Sequence, residues 1–370
     1  MGIMICYFAD KFLRVIGVAG TNEGMAITDD TYQDESGTGA PIMECYLEYP
    51  KGMRRKAENC AKPGGYVFRK RQDKYQVFTI LNSEGEPEQG RVFLHLEGGG
   101  IDLICETAIA TEAVNQHTIA WYIEHFTADS GFSIRINEIP NKVRTLSWDS
   151  DSTVMERILS IANSFGVELE FDFEIDGLRV TGMYIDIRRK RGRIIKKPLV
   201  AGREISSIKR KRALDDFASA LYVMGGTPEG SDTPITLDGM TYNDGDIFLQ
   251  NGRLYSRSGK EHWRRYKGGE QAGGWVYASF TYDTSNKKML LTKSVSELRK
   301  RNHMTDEFST DILDPNIVLN VGDTVKLSDP EGMIYVSARV QKIEESEANQ
   351  YTTVTFGEYV NIEVDEAEGA

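Results

Sequence analysis

The segment from Thr107 to Gly226 constrains the fold most, because its apolar residues change between helical and strand spacing several times. A first helix is predicted by apolar side chains at the i, i+3, i+4, i+7 spacing of one helical face: Ile119, Tyr122, Ile123 and Phe126. A strand follows from Gly131, and the segment ends in the strand-like run ASALYVMGG. We therefore expect an α+β part between an N-terminal and a C-terminal β-rich third.

A second helix is predicted within DSTVMERILSIANSFG. Asp151 or Ser152 is the expected N-cap, Glu156 lies in the first turn, and Gly166 suits the residue that ends the helix. The expected buried stripe consists of Val154, Ile158, Leu159, Ala162 and Phe165. These signals together predict an amphipathic helix with defined ends.

The run Glu168–Asp176 alternates carboxylates with apolar residues, which predicts an antiparallel strand with one solvated face. Its apolar face comprises Val167, Leu169, Phe171, Phe173 and Ile175. Paired carboxylates can also perform acid–base chemistry or bind calcium. The acidic face is alternatively a lumen wall or a surface that pairs with cations of another subunit. Gly177 turns the chain into a return strand with a basic outer end.

Residues 1–105 contain many short alternating runs separated by Gly-rich turns, among them YQVFTIL and RVFLHLE. This pattern is typical of a small barrel or sandwich. The hairpin-like stretches 75–98 and 336–359 share a strand, an acidic Ser/Glu loop and a second strand. Their similarity predicts that the chain carries two related barrels.

The whole sequence predicts a mainly β fold with α+β inserts: two small related antiparallel β-barrels, an α/β domain and a loop-rich β insert. One short helix is expected in the insert, at SVSELRKRNHM. The predicted parts are a first barrel at 1–105, an α+β domain at 106–198, a second, discontinuous barrel at 199–230 and 313–363, an insert at 231–312 and an acidic tail at 364–370.

The formal net charge of −12 argues against general nucleic-acid binding, which needs a basic surface. An acidic wall could still let DNA pass by repelling it. No apolar run is long enough to span a membrane, and the N-terminus lacks the features of a signal peptide. Free thiols made in a reducing cytoplasm are expected, because no close pairing predicts a disulfide or zinc among Cys6, Cys45, Cys60 and Cys105.

The sequence contains no Walker loop, HExxH or GxSxG motif. His117 and His125 could share a helical face beside Glu124, but two histidines fall short of a metal site. We therefore assign no catalytic, cofactor-binding or metal-binding residue, expect no cofactor, and predict that the chain is not an enzyme.

Two basic runs stand out: Arg188–Arg193, followed by Lys196 and Lys197, and Lys209–Arg212. A nucleic-acid patch is one interpretation. A solvated or subunit-facing cluster is favoured in an acidic protein, and Glu168–Asp176 offers a complement of opposite charge.

The predicted insert is rich in aromatic residues, which suit either a carbohydrate platform or packing within the insert and against a neighbour. These residues are Tyr242, Phe248, Tyr255, Trp263, Tyr266, Trp275, Tyr277 and Tyr282.

The order of FTADSGFSIRINEI, DSTVMERILSIANSFGVELEF, RRKRG and SIKRKRALDDFASALYVMGG resembles the N-terminal hub region of siphophage and prophage tail-tip proteins. That family includes tail-associated lysins, prophage endopeptidase tail proteins and minor structural proteins, and it is similar to contractile-phage baseplate hub proteins. Phe132 stands where the family pattern has Trp, and Arg135 lies near its usual Gly. These motifs are structural, so they speak to the fold more than to a mechanism.

The resemblance implies a homotrimer whose two barrels per chain alternate around a ring at the distal tail tip. It also implies that the ring closes the tail tube, binds the distal tail protein and the tape-measure protein, and carries fibres or a lysin. DNA would pass without specific binding. The expected location is the virion tail tip, after synthesis in the bacterial cytoplasm.

Longer family members carry a C-terminal peptidoglycan hydrolase or fibre region. Because this sequence ends at Ala370 in an acidic tail, endopeptidase activity is not expected of it. Two alternatives to the hub remain at this stage: a carbohydrate- or receptor-binding module of the tail tip, and a cell-wall endopeptidase whose lytic domain is missing from this chain.

Overall fold

The structure is a computed structural model in which two compact units are distinguished. Unit 1 comprises Met1–Lys209 and Phe308–Ala370, and unit 2 comprises Arg210–Glu307. The described residues are 4–20, 24–37, 40–71, 74–99, 101–112, 115–148, 150–177, 179–228, 233–263, 265–267, 270–272, 274–282 and 284–361.

The first part of unit 1 is almost entirely β. Its elements are β1 (Cys6–Ala9), β2 (Val15–Ala19), β3 (Ala26–Glu35), β4 (Ile42–Glu48), α1 (Arg54–Cys60), β5 (Tyr66–Arg71), β6 (Lys74–Glu86) and β7 (Arg91–Gly98).

The α+β part follows. Its elements are α2 (Ile101–Cys105), β8 (Thr107–Ala108), β9 (Thr111–Glu112), β10 (His117–Thr118), α3 (Ile119–Phe126), β11 (Phe132–Ser133), β12 (Val143–Arg144), β13 (Ser147–Trp148), β14 (Ser152–Thr153), α4 (Val154–Phe165), β15 (Glu168–Asp176) and β16 (Arg179–Arg188).

The rest of the chain returns to β structure around the elements of unit 2. In order these are β17 (Leu199–Val200), β18 (Lys209–Ala213), β19 (Ala220–Met224), β20 (Ile247–Gln250), β21 (Arg253–Ser256), α5 (Arg257–His262), β22 (Arg265–Lys267), β23 (Glu270–Ala272), β24 (Tyr277–Thr281), α6 (Lys287–Arg301), β25 (Thr305–Asp311), β26 (Thr324–Asp329), β27 (Ile334–Ser346) and β28 (Tyr351–Asn361).

One large sheet organises unit 1, in the order β25-β28-β27-β3-β4-β7-β6-β5-β1-β2, with β26 also pairing β27. The prediction of a mainly β fold is therefore confirmed. The strands expected to form two barrels are continuous through the antiparallel pair β3–β27, and their division into two closed barrels stays a prediction. Each half has its own buried apolar cluster, around Phe78 in one and Phe356 in the other.

The two hairpins that looked alike in sequence also have the same form. β6 and β27 are each 13 residues long, and each returns through a turn, at 87–90 and 347–350, into an antiparallel partner. A register shift falls between Ile80 and Asn82 in the first hairpin and between Val340 and Lys342 in the second. Ile80 and Val340 hold the same position in their strands, so the two hairpins are bent at equivalent points.

The α+β part packs α3 and α4 around a core of its own. Thr153 is the N-cap of α4 and forms a capping box with Glu156, so the expected cap at Asp151 or Ser152 is wrong by one residue or more. Ser152 and Thr153 form β14, which pairs with β8, and α4 begins directly after it at Val154. Gly166 ends α4 at φ 69°, a left-handed conformation that glycine adopts without strain.

The predicted apolar faces of these helices are largely buried. Ile119, Tyr122 and Ile123 of α3 are buried, and Phe126 lies at the edge of the core. In α4, Leu159 is only half-buried, whereas Arg157 is buried at 1% exposure. Nη2 of Arg157 donates to three carbonyl oxygens, those of Ala108, Ile109 and Ser150, so this arginine fastens two loops to the helix.

Unit 2 is built on a four-stranded sheet in the order β20-β21-β19-β24. Residues 220–224, expected with the second barrel, form the interior strand β19 of this sheet and pair with β21 and β24. The helix expected at 294–304 is α6, which begins seven residues earlier because Asn286 caps its first turn. Leu290, Val295 and Leu298 of α6 cover one face of the sheet.

Candidate functional site

A cleft of about 650 Å³ lies within unit 1, where the large sheet, the β15–β16 hairpin and the loops 190–193 and 320–323 meet. Its lining carries charges of both signs. The cations include Arg71, Arg188 and Arg191, and the carboxylates include Asp34 and Glu170. Aromatic side chains of the large sheet and of β15 complete the wall. The cleft is therefore the place where the three parts of unit 1 share one charged surface.

Two arginines of β5 bind one carboxylate next to this cleft, and Arg71 also lines it. Arg69, at 0% exposed, donates from Nη2 to Oε1 of Glu345 at 2.8 Å. Arg71 donates to both oxygens of the same carboxylate, at 2.8 and 2.9 Å, and to Oδ1 of Asn320 at 2.7 Å. Burial disfavours the charged form of Glu345, but Arg71 and Arg69 outweigh it and hold the pKa of that carboxyl below its ordinary value.

Asp34 lies beside this cluster and behaves in the opposite way. Burial raises the pKa of Asp34, although Arg191, Arg71 and a 3.5 Å hydrogen bond from the Tyr32 hydroxyl act against that rise. Burial also raises the pKa of Tyr32. Asp34 is thus a carboxyl whose ionised form is disfavoured in the cleft wall.

The acidic strand β15 meets cations of the same chain. Glu168 accepts hydrogen bonds from the Arg339 side chain and from the backbone N–H of Arg191, and Glu170 pairs with Arg188 at 3.3 Å. The expected complementarity between the acidic strand and the first basic run is confirmed.

Arg135 adds a further cation to this strand. It pairs with Asp172 at 2.7 Å and with the buried Asp186 at 2.6 Å. Glu170 and Asp172 are each paired with an arginine. Their ion pairs stabilise the hairpin, and these two carboxylates are not a free pair for acid–base chemistry.

The two arginines of the second basic run share a carboxylate partner. Arg210 binds both oxygens of Asp306 at 2.9 and 2.8 Å, and Arg212 approaches Oδ1 at 3.3 Å. Lys197, between the two runs, pairs with Glu204 at 3.0 Å. Because these cations already have carboxylate partners, the contacts favour the interpretation of a solvated or subunit-facing cluster over a nucleic-acid patch.

The histidines at 117 and 125 sandwich an indole. The ring of Trp121 stacks on His117 at 3.6 Å and on His125 at 5.2 Å, measured between ring centroids. Trp121 is 42% exposed. Among the described residues, no group of three or more His, Cys, Asp or Glu side chains is placed to hold a metal ion.

The aromatic residues of the insert divide between the two faces of the unit 2 sheet. Tyr242 and Tyr282 pack with the core under α6, whereas Phe248, Tyr255, Trp275 and Tyr277 form a cluster with one another. Tyr222 stacks on Tyr277 at 4.9 Å and belongs to this cluster, a member that the sequence analysis missed. Trp263 contacts Phe217, and the Tyr266 side chain lies outside the described residues.

The four cysteines are free, as expected; Cys105 is exposed and the others are buried. Within the described part of the chain, no helix is long and apolar enough to cross a membrane.

No protein-family model and no curated protein matches the sequence. Three solved structures are similar in fold over nearly the whole chain. The 43 kDa tail protein of prophage MuSo2 from Shewanella oneidensis is 9% identical with a TM-score of 0.59, covering 96% of this chain and 97% of that one. A tail protein from Neisseria meningitidis MC58 is 12% identical with a TM-score of 0.56, covering 97% of both chains.

The prophage tail protein gp18 from Listeria monocytogenes EGD-e is 10% identical with a TM-score of 0.52, covering 96% of this chain and 94% of that one. At these identities the likeness concerns the fold. It agrees with the resemblance carried by the motifs of the central segment. The chain therefore has the fold of prophage tail proteins, as its sequence resemblance to tail hub proteins predicts.

Proposed function

We propose that this protein is a structural component of a phage or prophage tail and forms the hub at the distal tail tip. The observation that carries the proposal is the shared fold with three tail proteins, two of them from prophages, over at least 94% of each chain. Full-length coverage matters here, because it includes the large sheet, the α+β part and unit 2 together and not one common module.

The proposed assembly is a cyclic homotrimer that closes the tail tube. Its support is the internal similarity of unit 1, in which β6–β7 and β27–β28 are hairpins of equal first-strand length bent at equivalent points. Three copies of a chain with two similar halves present six similar hairpins, which suits a sixfold tube. The proposed partners are the distal tail protein, the tape-measure protein, and a fibre or lysin component, and DNA passes through without specific binding.

The proposed role is non-enzymatic. Charged groups that line the cleft engage one another, as Glu170 does with Arg188 and Asp323 with Arg193. Incubating the full chain with purified cell-wall sacculi tests this directly. We expect no release of muropeptides above a buffer control, and sustained release would overturn the structural assignment.

The mass in solution tests the assembly. Light scattering coupled to size exclusion should give three times the 41.6 kDa chain mass, and electron microscopy should show ring-shaped particles. Mixing with a tail-tube protein and a distal tail protein should cap the tube ends. A monomer that stays monomeric at high concentration and in the presence of those proteins would contradict the hub.

A further inference from the structure

The last part of β27 joins the two halves of unit 1. β28 lies along one edge of β27. On the other edge, residues 334–339 pair with β26 and residues 342–345 pair with β3. A side-chain hydrogen bond crosses the β3–β27 junction, from Nε2 of Gln33 to Oε2 of Glu344 at 3.2 Å. The edge at 342–345 is therefore a place where a strand of the other half is added.

β6 is the corresponding strand of the first half, and here the same edge is open. Residues 74–79 of β6 pair with β5, as 334–339 of β27 pair with β26. Counted from Lys74 and Ile334, which begin the two strands, residues 82–85 correspond to 342–345. These four residues pair with β7 on one edge, and no strand lies on their other edge in the described part of the chain. All four are exposed.

β18 has the position in the second half that β3 has in the first. β3 pairs with β4, which pairs with β7, and β18 pairs with β25, which pairs with β28. β3 continues to β27 on its other side, whereas β18 ends its path of paired strands, as far as the described residues show. A strand that lacks its second neighbour and an edge that lacks its strand thus occur at corresponding places.

The sequence of β18, KRKRA, gives this strand a strongly basic edge. Arg210 and Arg212 both contact Asp306, so they share one face of the strand, and Lys209 and Lys211 lie on the other. Lysines on an exposed edge strand discourage pairing with strands in general. A strand edge that carries carboxylates is the partner that such an edge can accept.

The two lysines lie on the face that corresponds to that of Gln33. Met43 of β4 and Phe308 of β25 have corresponding, buried positions opposite β7 and β28. Tyr32 lies opposite Met43, so the next residue, Gln33, is on the outer face. Asp306 is two residues from Phe308 and shares its face, which leaves the lysines of β18 on the outer face as well.

Glu84 is the carboxylate that corresponds to Glu344. Since Glu344 contacts Gln33 where β27 meets β3, Glu84 would meet a lysine where β6 meets a strand placed like β3. Glu84 is exposed, and its open edge carries no basic residue between 82 and 86. The two edges are therefore matched in position, face and charge.

We propose that β18 of one copy pairs antiparallel with residues 82–85 of β6 in the next copy, with Lys209 and Lys211 facing Glu84. The backbone hydrogen bonds of an added strand supply affinity, and the side chains supply specificity. The contact is heterologous and closes after three copies, because each copy gives one strand and receives one. This inference rests on the proposed trimer and adds to it the strands through which neighbouring copies join.

Charge reversal tests the contact by sedimentation velocity of the full chain over a concentration series at fixed salt. Glu84→Lys changes β6, and Lys209→Glu with Lys211→Glu changes β18. The three substitutions together exchange the charges of the two edges. Circular dichroism and the unfolding midpoint establish that each variant folds.

The matched controls are Glu124→Lys on α3 and Lys288→Glu with Lys300→Glu on α6, all at exposed positions. We expect the wild type and the controls to sediment as trimers. Each one-sided reversal should dissociate at concentrations at least tenfold higher than the wild type does, because like charges then face each other across the strands. The combined exchange should bring dissociation back to within about threefold of the wild type.

A disulfide tests the pairing itself, because opposed residues of antiparallel strands have Cα atoms about 4.5–5.5 Å apart, which suits a disulfide. Cys105 is exposed and is first replaced by serine. In that background Glu84→Cys is combined with Lys209→Cys or with Lys211→Cys. Mild oxidation of at least one of these pairs should give covalent dimers and trimers on a non-reducing gel. Glu84→Cys with Lys288→Cys is the control and should give none.

Each contrary result has a defined meaning. Folded one-sided reversals that remain trimeric at wild-type concentrations would overturn the inference and leave the trimer intact, and so would an exchange that fails to restore the trimer. A trimer in which neither cysteine pair is cross-linked, or in which the cross-link lies within one chain, would overturn the inference as well. A wild type that is monomeric at every concentration would overturn the trimer itself, and this contact with it.

Discussion

Arg69 and Glu345 form a buried ion pair at 2.8 Å although five strand-to-strand steps of the sheet separate β5 from β27. The pair shows that the first half of the sheet curls back until its far strand meets the second half. The phenol ring of Tyr32 lies 4.2 Å from the Arg69 guanidinium carbon, and its hydroxyl accepts a hydrogen bond from Gln76 at 2.9 Å. Both cations of the Glu345 carboxylate therefore come from β5, while Tyr32 of β3 and Gln76 of β6 contact Arg69. This carboxylate joins the two halves of unit 1.

Glu345→Gln is expected to lower the free energy of unfolding of unit 1 by about 3 kcal/mol, because it leaves two largely buried guanidinium groups without their counter-charge. Chemical denaturation followed by circular dichroism measures the loss. Glu344→Gln is the control: its side chain is 36% exposed and its partners are Gln33 and Lys342, so its effect should stay below about 1 kcal/mol. Equal effects of the two substitutions would contradict the structural role of Glu345.

The same pair predicts a pH dependence. The pKa of Glu345 is lower in the folded chain than its ordinary value of 4.5, so ionised Glu345 stabilises the fold fully above that value. The stability advantage of the wild type over Glu345→Gln should therefore be constant near neutral pH. It should shrink as the pH falls below 4.5 and through the lower folded-state pKa. Denaturation at a series of pH values measures it, and an advantage that grows on acidification would refute the assignment.

Local patterns in the sequence predicted the elements well. The stripe of α4 and the alternation of Glu168–Asp176 are set by neighbours within a few residues. The structure shows a buried helix face and an antiparallel hairpin at these places, with one register shift between Glu174 and Ile175. The basic run found its complement in the acidic strand because a short hairpin brings the two together. Such features follow from the periodic placement of side chains along helices and strands, and from tight turns that join neighbouring elements.

Contacts between distant parts of the chain were not predictable in this way. Nothing in the sequence near Arg69 indicates a partner at Glu345, because the pairing depends on the curvature of the whole sheet. The strand Ala220–Met224 was expected in the second barrel, since its apolar alternation suits either sheet. It lies instead in the sheet of unit 2, because it pairs there with β21 and β24. Tyr222 was not included among the aromatic residues of the insert, because its strand was assigned to the second barrel.

Thr153→Ala should destabilise the chain by about 1 kcal/mol, because it removes the side chain that caps the backbone N–H of Glu156. Ser152→Ala is the matched neighbour: its hydroxyl donates only to the Thr153 carbonyl at 3.1 Å, and a change of a few tenths of a kcal/mol is expected. The unfolding free energies of the two variants show whether Thr153 or Ser152 caps α4. A larger loss at Ser152 would restore the cap expected from sequence and contradict the observed helix start.

Asp34→Asn is expected to stabilise the folded chain at neutral pH. The pKa of Asp34 is higher in the folded than in the unfolded chain because burial disfavours its charge, so ionisation above the ordinary value of 3.8 costs stability, a cost that the amide does not carry. The gain should disappear below pH 3.8, where the carboxyl is protonated in both states.

Asp172→Asn, in the same cleft, is the control. It loses the 2.7 Å pair with Arg135 and should destabilise the chain at neutral pH. Denaturation of both variants at pH 7 and at pH 3.5 tests these opposite changes in the free energy of unfolding. If Asp34→Asn were destabilising at pH 7, then Arg191 and Arg71 would outweigh burial, and the Asp34 carboxylate would be a structural ion-pair partner like Glu345. If it stabilises as expected, the chain keeps at this point of the cleft a carboxyl group that its own fold does not require.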